Sequence, residues 1–133
     1  MTEPVRPASV HGTVLAFDFG LKYIGVAAGQ TVTRTASPLT TLSARDGRPD
    51  WKAVVELVKE WRPVRLVVGL PLNMDDTESD MSERARAFAA SLSEHTGVPV
   101  SMADERLTSR EAGEASHAAA AALIAETWLN APD

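Results

Sequence analysis

Two carboxylates stand at places where an acid needs a reason. Asp18 ends the apolar run Val14-Leu15-Ala16-Phe17 and is followed by Phe19 and Gly20, while Glu105 follows the short run Val98-Pro99-Val100-Ser101-Met102 within Asp104-Glu105-Arg106. A buried carboxylate without a partner is costly enough that it is normally neutralised, paired or bound to a cation. Asp18 can therefore be read as a divalent-metal ligand facing a cleft, with Gly20 and Gly25 letting backbone come close to a phosphate. It can equally be read as a strand-end Asp that opens a glycine turn. If the last strand lies near the first, Asp18 and Glu105 converge. Such a pair can hold one or two ions about 3.5–4 Å apart, which activate water and stabilise the leaving oxygen of a phosphodiester. The alternative for Glu105 is an exposed side chain paired with Arg106.

Further candidates surround these two. Asn73, just beyond an apolar strand, could contact phosphate or serve as a turn residue. Lys22 could sit over a phosphate beside Gly20 or be a solvated turn lysine. Arg84, Arg86, Arg106 and Arg110 could contribute to a nucleic-acid track or simply be solvated. Asp75, Asp76, Glu78 and Asp80 crowd one stretch, and consecutive positions read better as a mobile acidic loop than as ligands converging from rigid elements.

Composition narrows the chemistry. The 133 residues contain no cysteine, which removes disulfides, thiolate metal sites and cysteine nucleophiles. The three histidines, His11, His95 and His117, share no metal-ligand spacing, so the ligands should be oxygens, which suits Mg2+ or Mn2+. A formal net charge of -5 argues against binding nucleic acid by bulk charge but leaves room for a local basic face. No run approaches the ~20 apolar residues of a membrane span, and residues 1–12 lack the core of a signal peptide, so a cytoplasmic protein with no membrane partner is expected.

The elements that must position these residues follow from periodicity. Residues 1–12 are expected to be a flexible tail and 13–130 a single domain. Strands are predicted over 13–19, 23–29 and 33–42 as an antiparallel meander, with 44–49 a turn-rich connection. Asp50 caps a helix over 51–61 that Pro63 stops. Residues 65–70 form a buried parallel strand, and 71–73 leave it where open α/β sheets place ligands. Asp80 with Glu83 opens a helix to about His95, with Ala85, Phe88, Ala89 and Leu92 inward and Gly97 ending it. A strand over 98–102 delivers Asp104-Glu105-Arg106 to its exit. Thr108 with Glu111 opens a further helix, and 118–129 form a last one with Leu123, Ile124 and Trp128 against the sheet. The fold class is α/β, a mixed sheet flanked by helices.

Taken together, Val14 to Gly20 with Ile24-Gly25-Val26-Ala27, then Val67 to Asp75, then Asp104-Glu105-Arg106-Leu107-Thr108 resemble the YqgF/RuvX family over about Gly12 to Leu129. Its members are described as pre-16S rRNA nucleases and as Holliday junction resolvases. The resemblance implies a ribonuclease H-like fold and an endonuclease dependent on Mg2+ or Mn2+, with Asp18 and Glu105 as catalytic metal ligands. Substrate contacts are expected from Gly20, Lys22, Asn73 and Arg106, and the resemblance implies a structured RNA or branched DNA as partner. A weak nucleic-acid-binding module is the rival, and an actin-like nucleotide-binding module ranks last. One departure stands out. The family carries a longer segment after the Asp-Glu-Arg motif and then a third Asp, but here 110–117 are too short for it and His117 stands in that place. Either the segment is deleted, or a loop is missing from the sequence.

Overall fold

The computed structural model describes residues 11–72, 75, 77–106 and 115–131. Its centre is β1 (Thr13–Asp18), in which Val14, Leu15, Ala16 and Phe17 have no exposed surface. A strand apolar on both sides must be covered on both sides, and it is. β2 (Tyr23–Gln30) pairs antiparallel with β1, and β3 (Thr35–Arg45) antiparallel with β2. β5 (Arg65–Leu72) pairs parallel with β1, and β6 (Val100–Arg106) parallel with β5. With the two-residue β4 (Arg48–Pro49), the order is β4-β3-β2-β1-β5-β6.

Alternation along the strands sends one set of side chains to each face. On one face Leu15, Phe17, Leu66 and Val68 meet α1 (Trp51–Trp61) and α2 (Asp80–Thr96) through Val54, Val58, Phe88 and Leu92. On the other, Val14, Ala16, Val67 and Ala103 meet α3 (Ala115–Leu129) through Ile124, Ala125, Trp128 and Leu129. The alanines of α3 have a use. Ala121 and Ala122 lie directly on Ala27 of β2, and small residues on both sides let helix and sheet approach closely.

Several expectations are corrected. The connection 44–49 is a hairpin, since Ala44 pairs with Pro49 and Arg45 with Arg48 around Asp46 and Gly47. Both turn residues have positive φ, 52° and 82°, the geometry for which Asp-Gly is suited. Consequently β3 runs on to Arg45, beyond the predicted end at 42. The cap of α2 is Ser79 rather than Asp80, and its partner is Ser82 rather than Glu83. The Ser79 N–H donates to Ser82 Oγ at 2.9 Å, and the buried Ser82 hydroxyl donates to the Pro71 carbonyl, fastening the helix to the end of β5. Asp104-Glu105-Arg106 lie inside β6, not at its exit. Helix α3 begins at Ala115 rather than 118, and Leu123 points away from the sheet at 66% exposure, because the face centred on Ala121 and Ala125 is the buried one. The tail before residue 11, Asn73, Met74, Asp76 and the Thr108–Glu111 cap lie outside the described residues.

The first helix is held by its aromatic start. Trp51 stacks on His95 at 4.1 Å and 1°, and on Phe88 at 5.7 Å. Trp51→Ala should lower unfolding free energy by roughly 3 kcal/mol, measured by urea denaturation, while Leu123→Ser should stay within about 0.5 kcal/mol. Equal losses at the two positions would contradict this division.

Candidate active site

Register brings the two acids together. Phe17 pairs with Val68, so Asp18 comes level with Gly69; Gly69 pairs with Ala103, and Pro71 with Glu105. Counting by twos, Asp18, Gly69 and Glu105 all face α3. Glycine at 69 is what allows the meeting. A Cβ there would lie 2.9 Å from Glu105 Oε1 and 2.5 Å from Ile124 Cδ1. With no side chain on the central strand, the carboxyls of β1 and β6 reach across it and share a hydrogen bond.

Their environment disfavours charge. Burial first, then the Glu105 charge and the hydrogen bond to Glu105, push Asp18 from 3.8 up to about 8. Burial likewise raises Glu105, with its hydrogen bond to Asp18 opposing the rise. Two carboxyls in contact ionise as a pair, so near neutral pH they keep one proton between them unless a cation replaces it.

The start of α3 closes the neighbouring side. Gly25, the β2 partner of Asp18, lies so close under the His117 carbonyl that any side chain at 25 would collide with it. The His117 ring packs on Tyr23 at 5.3 Å. Among the described residues, no group of three His, Asp or Glu side chains could hold a metal. The described acids that meet here are Asp18 and Glu105, whose oxygens are of the hard kind that magnesium and manganese take.

The remaining candidates fall as follows. Gly20 belongs to the tight β1–β2 turn, where a Cβ would strike the Tyr23 carbonyl. Lys22 is exposed in that turn, at the same end of the sheet as the acids, and its carbonyl accepts from Ala44 N–H at 2.8 Å. Asn73 and the side chain of Arg106 lie outside the described residues. The acidic stretch does not converge, since Asp75 accepts from Thr77 and Glu78 holds Arg86 at 2.6 Å. Gly69 was missed from sequence, although a glycine interrupting Leu66-Val67-Val68-Gly69-Leu70 signals close approach by another group.

The sequence model of the RuvX family, described as Holliday junction resolvase, matches residues 12–131. A relative from Acinetobacter baylyi, named "Putative pre-16S rRNA nuclease", is 42% identical over 136 aligned residues, covering 92% of each chain. A protein of the same name from Cronobacter sakazakii is 55% identical over 101 residues, 76% of this chain and 73% of its own. Among solved structures, T. thermophilus RuvC in complex with a Holliday junction substrate gives a TM-score of 0.58 at 18% identity, covering 88% of this chain and 92% of that one. That likeness shows the fold, which is ribonuclease H-like.

The raised Asp18 sets a pH dependence. Unfolded, Asp18 releases its proton near 3.8, whereas folded it keeps it up to about 8. Above the unfolded value the native state therefore binds more protons, and stability falls as pH rises through that window. Asp18→Asn lacks this penalty. In chelator, the variant should match the parent near pH 4 and exceed it by several kcal/mol at pH 8, followed by thermal melting; a parallel pH profile for the two proteins would refute the buried pair.

Proposed function

The chain belongs to the RuvX family, and from that premise we propose that it is a Mg2+- or Mn2+-dependent nuclease that cleaves structured RNA, in maturation of the 5′ end of pre-16S rRNA in the cytoplasm. The observation that carries the reading is the Asp18–Glu105 contact across Gly69. A sheet has no structural use for two desolvated carboxyls pressed together, since replacing such groups by packed apolar ones is often neutral or stabilising. The names of the relatives supply the substrate class.

Within this reading each residue has a task. Asp18 and Glu105 would hold the cation through their carboxylate oxygens, releasing to solvent the proton that the pair otherwise shares. When bound, the ion supplies Lewis-acid stabilisation of charge developing on a phosphodiester and acidifies water. Gly69 keeps the space between the strands open. Gly20 and Lys22 lie at the sheet end over which a phosphate passes. Asn73 and Arg106 follow β5 and end β6, and they are assigned to the substrate from their motif positions alone.

A second reading, resolution of branched DNA, is favoured by the family description and by the fold shared with RuvC. No transmembrane span enters either reading; among the described residues, no helix is long and apolar enough to cross a membrane. The third ligand bears on both. The alignment to the Acinetobacter relative takes in 136 positions, more than the 133 residues of this chain, so the relative carries residues that this chain lacks. A cation held by the described pair alone would be held loosely, since each absent anionic ligand removes attraction that water replaces poorly.

Incubating the purified protein with pre-16S RNA and with a four-way DNA junction, each with Mn2+ or chelator, separates the readings. RNA cleavage that requires the ion is expected, and Asp18→Asn or Glu105→Gln should lower it beyond the ~10–100-fold seen when only a supporting group is lost. Exclusive cleavage of the junction would transfer the proposal to DNA; cleavage of neither would make the protein a binding module.

Gly69→Ala should act on the same site without touching a ligand. Its methyl group must displace Glu105 or Ile124. Manganese affinity measured by calorimetry should fall by about tenfold or more, with secondary structure retained by circular dichroism. Unaltered affinity would show that the open space at 69 plays no part.

A further inference from the structure

At the end of the sheet where the acids meet, but on the opposite face, the β3–β4 hairpin leans over the β1–β2 turn. Gly47 N–H donates to the Leu21 carbonyl at 2.9 Å, and a Cβ at Gly47 would lie 2.8 Å from the Phe19 ring. Phe19 directly follows Asp18. The hairpin is therefore fixed against the residue that follows Asp18, on the face opposite the acids.

The charges on this hairpin are unusual. Arg45 and Arg48 are directly paired across it, and like charges in that position repel and destabilise a hairpin. Both are exposed, and among the described residues neither has an ion-pair partner. The nearby acids are engaged elsewhere. Asp46 faces Arg84 at 3.4 Å, and Asp50 accepts from Lys52 N–H to cap α1.

Beside the pair opens a cavity of about 320 Å³, with Phe19, Trp51 and Phe88 as apolar walls and Arg48, Arg84 and Asp46 among its polar lining. That volume is at the low end of ligand pockets, roughly 300–1,000 Å³. Its walls are pre-formed, because Phe88 already packs on Phe19 at 5.3 Å and on Trp51. An anion-seeking arginine pair beside a small aromatic cavity matches one nucleotide, phosphate outside and base within. We propose that the hairpin and this cavity form a subsite for a nucleotide flanking the scissile phosphate, with Arg45 and Arg48 on its backbone and its base in the cavity against Phe19. The subsite rests on the nuclease reading and names where the strand goes after leaving the acids.

Binding of a fluorescein-labelled single-stranded RNA dodecamer in chelator, measured across salt concentrations, tests it. Two variants divide the subsite. Arg45→Ala/Arg48→Ala removes the phosphate contacts, and the slope of log K against log salt should fall by about 1.4, or ~0.7 for each contact. In metal-dependent cleavage the same variant should raise KM and leave kcat unchanged. Ala87→Trp, at an exposed helix position lining the cavity, fills it without altering charge. It should keep the parent slope and weaken binding about tenfold, the scale of one lost base contact. Melting curves establish that both variants are folded. A parent-like slope in the arginine variant, or parent-like affinity in Ala87→Trp, overturns the subsite. A parent protein that shows these binding differences yet cleaves no RNA overturns the nuclease reading and leaves the subsite standing.

Discussion

Everything in this molecule is arranged around two carboxyls that touch inside a sheet. Asp18 and Glu105 belong to different strands with β5 between them, and they meet because β5 carries no side chain at Gly69. The contact disfavours two negative charges, so near neutral pH the pair holds a proton between its two carboxyls. The register that makes the contact is in turn held by strands buried on both faces. A slip of one residue would turn Asp18 into the α1–α2 core and Phe17 toward α3. Site geometry and core packing are thus one constraint.

The acids were legible in sequence because they interrupt apolar runs, and β1, β2, β5 and α1 were legible for the same reason in reverse. What escaped was local chemistry that composition hides. Asp46-Gly47 is a two-residue hairpin turn, but the arginines around it made the stretch resemble a loop. At the start of α2, Asp80 and Glu83 had the spacing of a capping box, yet the pair one residue earlier, Ser79 and Ser82, forms it, since Ser82 also has the Pro71 carbonyl to satisfy. Leu123 was assigned inward on hydrophobicity alone, and the near-uniform alanine of α3 gave no period by which to place it. Gly69 lies within an apolar run that does not disclose its role. That role depends on which strands flank β5, and a sequence does not state strand order.

Net charge alone says little about where a phosphate would meet this chain. The chain is acidic overall, at -5, yet its exposed cations and its paired acids are not evenly distributed. Glu78 is held by Arg86 and Asp46 by Arg84, while Lys22, Arg45 and Arg48 stand at the sheet end beside the acids with no ion-pair partner among the described residues. Over a Debye length of about 8 Å at physiological salt, that local arrangement governs a phosphate more than the sum does.

The helix that completes the site also limits it. Gly25 pairs with Asp18 across the β1–β2 ladder, and the first turn of α3 rests on Gly25, so α3 begins one strand away from the acid. A ligand in that turn would converge on the pair from a third element. In this chain the described occupant is His117, and its ring is committed to Tyr23. An imidazole is also a poorer partner for magnesium than an oxygen. Three elements thus border the site, and two of them supply the described acids. On the proposed metal-dependent reading, such a site would rely on the cation to relieve the Asp18–Glu105 repulsion and on the substrate's own phosphate oxygens to fill its coordination. Cation and nucleic acid would then bind with mutual reinforcement, because each supplies charge that the other lacks.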